Sequence, residues 1–200
     1  MIKQVEIMLL GTVQVRVNGR PVRLGQPKQR ALLALLALRH GTAVPVADIT
    51  DALWGFAPPK RARNQIQVYV AAVRRLFAAA DPPGHPITTL PGAYQLDLPP
   101  HSVDLTAFEM LADRAGRLAA AGRMRAADQA LAGALAMWSG PPLGGLVGDY
   151  FQRAAVRLEE RRIAVLEQHV GVKLALDDDG VLMPALRSAV AAHPLCAGLR

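Results

Sequence analysis

Apolar and polar positions alternate near the start of the chain. Val13, Val15 and Val17 fall on one face and Gln14 and Arg16 on the other, which predicts a half-exposed strand. Asn18-Gly19 follows, a dipeptide that favours a tight hairpin turn, and Val22 and Leu24 begin the return strand. From Pro27 the period changes. Pro27-Lys28-Gln29-Arg30 leads into ALLALLAL and ends at Arg39-His40-Gly41. The proline, the basic last turn and the glycine mark both ends of a helix that is apolar nearly all round and therefore central. A short helix is predicted over 47–54, before Pro58 and Pro59 break the chain. Within KRARNQIQVYVAAVRRL (60–76), Ile66, Val70 and Val73 recur at helical spacing, with Phe77 just beyond. DPPGHP is a turn-rich connection, and ITTLPGAYQLDL predicts two short strands about Pro91-Gly92.

After residue 100 the pattern is helical throughout. Thr106 with Glu109 fits a capping box for a helix whose apolar face is Phe108, Leu111, Ala115 and Leu118, stopped by Gly122. A second helix carries Ala127, Leu131, Leu135 and Trp138 on one side. The two together approach the roughly 34-residue length of a tetratricopeptide-type helix pair. The loop SGPPLGGLVG precedes a long helix over about 149–176, and after Asp177-Asp178-Asp179-Gly180 a last helix is predicted over about 181–192. Strands, three helices and a hairpin followed by helices predict two domains. The first, over 1–100, is an α+β winged helix-turn-helix; the second, over 101–200, is an all-α, tetratricopeptide-like domain.

Charge sharpens this division. Residues 1–100 hold 12 Lys and Arg against 5 Asp and Glu, whereas residues 101–200 hold 11 against 11, so the whole formal charge of +7 lies in the first half. That half suits a polyanion and the other does not. Although 52% of residues are apolar, no apolar run approaches the roughly 20 residues of a membrane span, so no membrane partner is expected. The opening MIKQVEIMLLG has no signal-peptide character, and a cytoplasmic location is expected. Cys196 is the only cysteine, which excludes an internal disulfide and a cysteine-cluster metal site.

The candidate chemistry lies in 60–76, which carries five cations and no acid. Opposite its apolar stripe lie Arg61, Asn64, Val68, Ala71 and Arg75, with Arg63, Gln67 and Arg74 along one flank. A helix in the major groove needs such a surface: small side chains at the close approach, amides for base edges, cations for phosphate and no repelling carboxylate. Asn64 and Gln67 are matched to adenine, and Arg63, Arg74 and Arg75 to phosphate or guanine. Lys60 and Arg61 stand at the helix start, where free N–H groups also favour phosphate. A solvated basic helix is the plainer alternative, but solvated faces usually mix signs.

Thr88, Thr89 and Tyr94 are candidates for DNA-backbone contacts from the hairpin, although a tyrosine in a short strand is as often a packing residue. Lys28 and Arg30 are candidates for phosphate at the start of the first long helix, where cations are otherwise unfavourable. The run Asp177–Asp179 lacks the ligand spacing of an EF-hand and reads as a solvated turn. The five histidines are scattered, and neither a phosphate-binding glycine loop nor a nucleophile elbow is present. No catalytic residue, metal site or cofactor is predicted.

The segments LLGTVQVRVNGRPVRLGQPKQRALLALLAL, ITDALWG, ARNQIQVYVAAVRRL, LPGAYQLDL and ALAMWSGPPLGGL together resemble the Streptomyces antibiotic regulatory protein family along almost the whole chain. The resemblance implies an OmpR-type winged-helix domain joined to a bacterial transcriptional activation domain of tetratricopeptide-like helices. It further implies binding of double-stranded DNA at direct repeats beside the promoter −35 element by a head-to-tail pair of copies. Recruitment of RNA polymerase holoenzyme to a biosynthetic gene cluster is the implied outcome. Two motifs depart from the family. Val70-Ala71-Ala72-Val73-Arg74-Arg75 stands where VSRLRR is frequent, and Ala93-Tyr94-Gln95-Leu96 where GYRL is frequent, so a different affinity or target sequence is expected. The family's activation domain usually continues with further helices, and no segment resembles the ATPase of its larger members.

Two further functions compete with activation. One is a protein-interaction module whose helical domain holds a partner in its concave face. The other is a repressor or truncated regulator that occupies promoters without engaging polymerase. The charge asymmetry favours DNA binding over the first; the sequence does not separate activator from repressor.

Overall fold

The chain opens on three antiparallel strands, β1 (Val5–Met8), β2 (Gln14–Val17) and β3 (Arg20–Val22), paired in that order. The computed structural model describes residues 5–79 and 86–176. Val17 pairs with Arg20 across the Asn18-Gly19 turn, where both residues take positive φ, 51° and 74°. That combination defines the hairpin turn whose twist matches its strands. Then follow α1 (Pro27–Leu38), the two-residue β4 (Val44–Pro45), α2 (Val46–Trp54) and α3 (Ala62–Ala79). The hairpin of β5 (Ile87–Leu90) and β6 (Ala93–Leu96) completes a second sheet in the order β4-β6-β5. The rest is helical: α4 (Asp104–Ala120), α5 (Met124–Leu135) and α6 (Asp149–Ala175). A winged-helix fold thus precedes a helical domain.

The described residues form two compact units. One holds those up to Ala107 together with Trp138–Arg157, and the other Phe108–Met137 together with those from Leu158 onward.

In the first unit α1 is central. All seven residues from Ala31 to Ala37 are buried, as its nearly all-round apolar pattern requires, and it packs against α2, α3 and β6. The stripe Ile66, Val70, Val73 and Phe77 on α3 is fully buried. Each such side chain contributes roughly 1.5–3 kcal/mol relative to exposure, so the orientation of α3 is firmly set.

The loop after α5 belongs to this unit. Ser139 N donates to Leu10 O at 2.8 Å, Leu143 N to Leu9 O at 2.8 Å, Gly144 N to Gly11 O at 2.9 Å and Val13 N to Gly144 O at 3.0 Å. A Cβ added at Gly144 would lie 3.1 Å from Thr12 Cα, so the strap needs glycine for its close approach. Asp104 fixes the same segment from the other side. Its buried carboxylate accepts from the Leu9 and Leu10 amides at 2.8–2.9 Å and from Leu105 N at 2.7 Å. Burial pushes this carboxyl above its ordinary value, against the amide bonds from Leu10, Leu9 and Leu105 that favour the ionised form.

The helix α4 opens at Asp104, two residues before the predicted cap. Ala107 N already donates to Val103 O at 3.0 Å, which places Thr106 inside the first turn. Glu109 does not reach back to a cap; it accepts both Nε and Nη2 of Arg161 at 2.7–3.1 Å within the second unit. Gly122 ends α4 as predicted, through bonds from Gly122 N to Ala119 O and from Arg123 N to Leu118 O, each 2.9 Å. In the same unit Asp128 on α5 accepts from His169 Nε2 at 2.7 Å and lies 3.2 Å from Lys173 Nζ, both on α6. Burial acts to raise the Asp128 pKa, but the hydrogen bonds and charges of His169 and Lys173 outweigh it and hold the carboxyl below its ordinary value. The predicted helix over 181–192 and the aspartate run at 177–179 lie outside the described residues.

Candidate nucleic-acid interface

The burial pattern of α3 turns the rest of the helix outward. Arg63, Asn64, Gln67, Ala71 and Arg75 are exposed, as are Lys60 and Arg61 just before it, and Val68 is 58% exposed. The helix is entered from Pro58-Pro59, with Ala62 N donating to Pro59 O at 2.9 Å. No carboxylate occurs anywhere between Lys60 and Ala79. The surface therefore combines four exposed cations, two amides and two small apolar side chains, with nothing to repel a phosphate.

Arg74 behaves differently from its neighbours. It is half-buried and turned toward the wing, donating to Ile87 O at 2.7 and 3.1 Å and to Thr89 Oγ1 at 2.7 Å. Thr88 and Thr89 are exposed on β5. The strands turn at Pro91-Gly92, where Gly92 has φ 68°. Tyr94, the third wing candidate, is only 7% exposed and pairs with both Val44 and Thr89 across the sheet. Of its two readings the structure supports packing, because a ring buried against the core has no surface to offer DNA; the expected wing contact at Tyr94 is corrected accordingly.

Lys28 and Arg30 also have partners inside the unit. Lys28 Nζ donates to the Leu53 carbonyl at the end of α2 and lies 5.9 Å from the Trp54 ring centroid, a cation over an aromatic face. Trp54 in turn stacks on Tyr69 of α3 at 6.4 Å. Lys28 thus ties α1 to the end of α2, whose Trp54 carries the contact on to α3. Arg30 is half-buried with its Nε enclosed, and its guanidinium lies beside Gly145 in the strap. The helix start is thus cationic for reasons of packing that the sequence did not reveal.

Among the described residues no group of His, Cys, Asp or Glu is placed to hold a metal ion, and no helix is long and apolar enough to cross a membrane.

Comparison with known proteins identifies the arrangement. Residues 19–94 match the model of the C-terminal domain of transcriptional regulatory proteins, and residues 103–198 that of the bacterial transcriptional activator domain. The chain is 34% identical to the regulatory protein DnrI of Streptomyces peucetius, covering 95% of itself and 72% of that relative. It belongs to the Streptomyces antibiotic regulatory protein family of transcriptional regulators. The regulatory protein AfsR of Streptomyces coelicolor is 33% identical over 96% of this chain, which spans only 19% of that larger relative. Among solved structures, Mycobacterium tuberculosis EmbR in complex with a low-affinity phosphopeptide superposes with a TM-score of 0.92 at 31% identity. The match covers 98% of this chain and 52% of EmbR. Membership in the Streptomyces antibiotic regulatory protein family makes DNA and the transcription machinery the partner class of the chain, and gives no support for an enzymatic role.

Proposed function

We propose that the chain is a sequence-specific transcriptional activator that reads the major groove with the outer face of α3. The observation that carries this reading is the exposure of Arg61, and of Arg63, Asn64, Gln67, Val68, Ala71 and Arg75 on the carboxylate-free helix that follows it, whose opposite stripe is fully buried. Asn64 and Gln67 take base edges, since an amide pairs two-fold with adenine, and Val68 offers methyl groups to thymine. Lys60, Arg61, Arg63 and Arg75 take phosphates, as do Thr88 and Thr89 from the wing. Arg74 positions the wing against the helix while its charge adds to the field.

Direct repeats beside the −35 element, read by two copies placed head-to-tail about one helical turn apart, fit a reader that offers one such helix per copy. In this reading the DNA contacts fall to residues up to about 100 and the engagement of RNA polymerase holoenzyme to those from 101 onward, in the bacterial cytoplasm, at a biosynthetic gene cluster. The test compares two variants on a selected duplex and its base-substituted forms. Asn64→Ala relaxes discrimination by about 1–3 kcal/mol at one base position, while Arg75→Ala weakens all duplexes by the same factor. Equal effects of both variants on every sequence would refute the assignment.

A further inference from the structure

The flank of α3 that faces away from the wing lines a basic cleft of about 250 Å³. It is lined by Arg23 and Gly25 from the segment joining β3 to α1, by Gln29 from the first turn of α1, and by Ala72, Arg75 and Leu76 from α3. Arg23 and Arg75 are both exposed and neither forms an ion pair among the described residues. Gly25 and Ala72 add little bulk to the lining, and Gln29 is held over Gly25 by its bond from Gln26 N at 3.1 Å. Among the described residues that line the cleft are two arginines, Arg23 and Arg75, and no carboxylate.

Position decides what such a cleft is for. At about 100° per residue, the outward face of α3 centres on Arg61, Asn64, Val68, Ala71 and Arg75. Arg74 lies on one flank and is bound to the wing. Ala72 and Leu76 lie on the other and line the cleft. A helix inserted in a major groove about 12 Å wide has one phosphate backbone on each side. The wing threonines stand on the first side, and Arg23 stands on the second.

Resting on the reading of α3 as the DNA reader, we propose that the Arg23 cleft is a phosphodiester-binding site. Arg23 and Arg75 there grip the backbone on the side of the groove opposite the wing. Arg23 lies well outside the reading helix and contributes affinity without sequence preference, because a phosphate carries no base identity.

The experiment uses the full chain and a labelled duplex that it recovers from a random library, beside a scrambled duplex of the same composition. Arg23→Ala lowers affinity for both by the same factor, roughly five- to tenfold near 0.1 M salt, and reduces the slope of log affinity against log salt by about 0.9. Arg23→Lys retains the slope, and Arg23→Glu lowers affinity further than Ala. Thermal unfolding at the wild-type midpoint verifies that the exposed substitutions leave the fold intact. Unchanged affinity and slope in Arg23→Ala, while the parent chain binds normally, overturn this proposal alone. A loss confined to particular base pairs overturns it too. A parent chain that recovers no duplex overturns the reading of α3 and the cleft with it.

Discussion

The Arg74 guanidinium donates to Thr89 Oγ1 at 2.7 Å, tying the flank of α3 to the wing strand β5. The same group holds the Ile87 carbonyl through two further bonds, at 2.7 and 3.1 Å. Arg74→Ala releases the wing from the helix while leaving the buried stripe of α3 untouched. The expected result is weaker binding to every duplex together with faster amide exchange in β5. Arg74→Lys restores the charge but not the fork that reaches two acceptors, so it recovers binding only in part. A loss of affinity at one base position with β5 exchange unchanged would instead place Arg74 on a base.

Asp104 supplies a second test, in the segment that the strap and β1 share. Three backbone amides, those of Leu9, Leu10 and Leu105, converge on its carboxylate. Asp104→Ala leaves buried donors without an acceptor and lowers unfolding stability by about 2–4 kcal/mol, read from urea midpoints. A change within about 0.5 kcal/mol would show that water or a shifted loop satisfies these amides. The folded pKa of Asp104 lies above the ordinary 3.8. Its contribution is therefore fully present below that value and is lost as pH rises through the folded pKa. Asp104→Asn removes this component of the pH profile.

Asp128 acts with the opposite sign. His169 and Lys173 hold its folded pKa below the ordinary 3.8. The stability it contributes is present above that value and is lost as pH falls through the folded pKa. Unfolding of the Asp128→Asn chain, followed by helical circular dichroism, is expected to show less destabilisation on acidification below about pH 4 than the parent. An identical acid limb in both chains would place the acid sensitivity elsewhere.

Much of the first unit was legible because its signals are local. The stripe Ile66, Val70, Val73 and Phe77 could be read from spacing alone, since burial in a helix repeats with the helical period. Asn18-Gly19 gave the hairpin because few dipeptides tolerate two consecutive positive φ values. What escaped is held by contacts remote in sequence. The strap from Ser139 to Gly144 bonds to residues more than 120 positions earlier, through backbone groups that leave no side-chain pattern. Asp104 carries no local sequence signal for its role, because the Leu9 and Leu10 amides it holds lie 95 and 94 positions away. Thr106 and Glu109 matched a capping rule, but Arg161 is the stronger partner for Glu109 and Asp104 opens the helix.

In the interface, the charge and the amides of α3 were visible from sequence, whereas the roles of individual cations were not. Arg74 and Lys28 have the same formal charge as Arg75, yet the first is bound to the wing and the second to the end of α2. Only packing distinguishes them. Arg23 gave no signal of its own, because its relation to Arg75 exists only once β3, α1 and α3 are assembled.

The central claim is that α3 reads duplex DNA, and selection of binding sites from a promoter-region library by the full chain, with affinity of the recovered duplex followed against salt, tests it most directly. The account predicts enrichment of direct repeats spaced by about one helical turn, and a log–log salt slope of about 0.9 for each phosphate neutralised. No enrichment, or weak binding indifferent to sequence, would contradict it and leave α3 a basic amphipathic helix that does not read DNA.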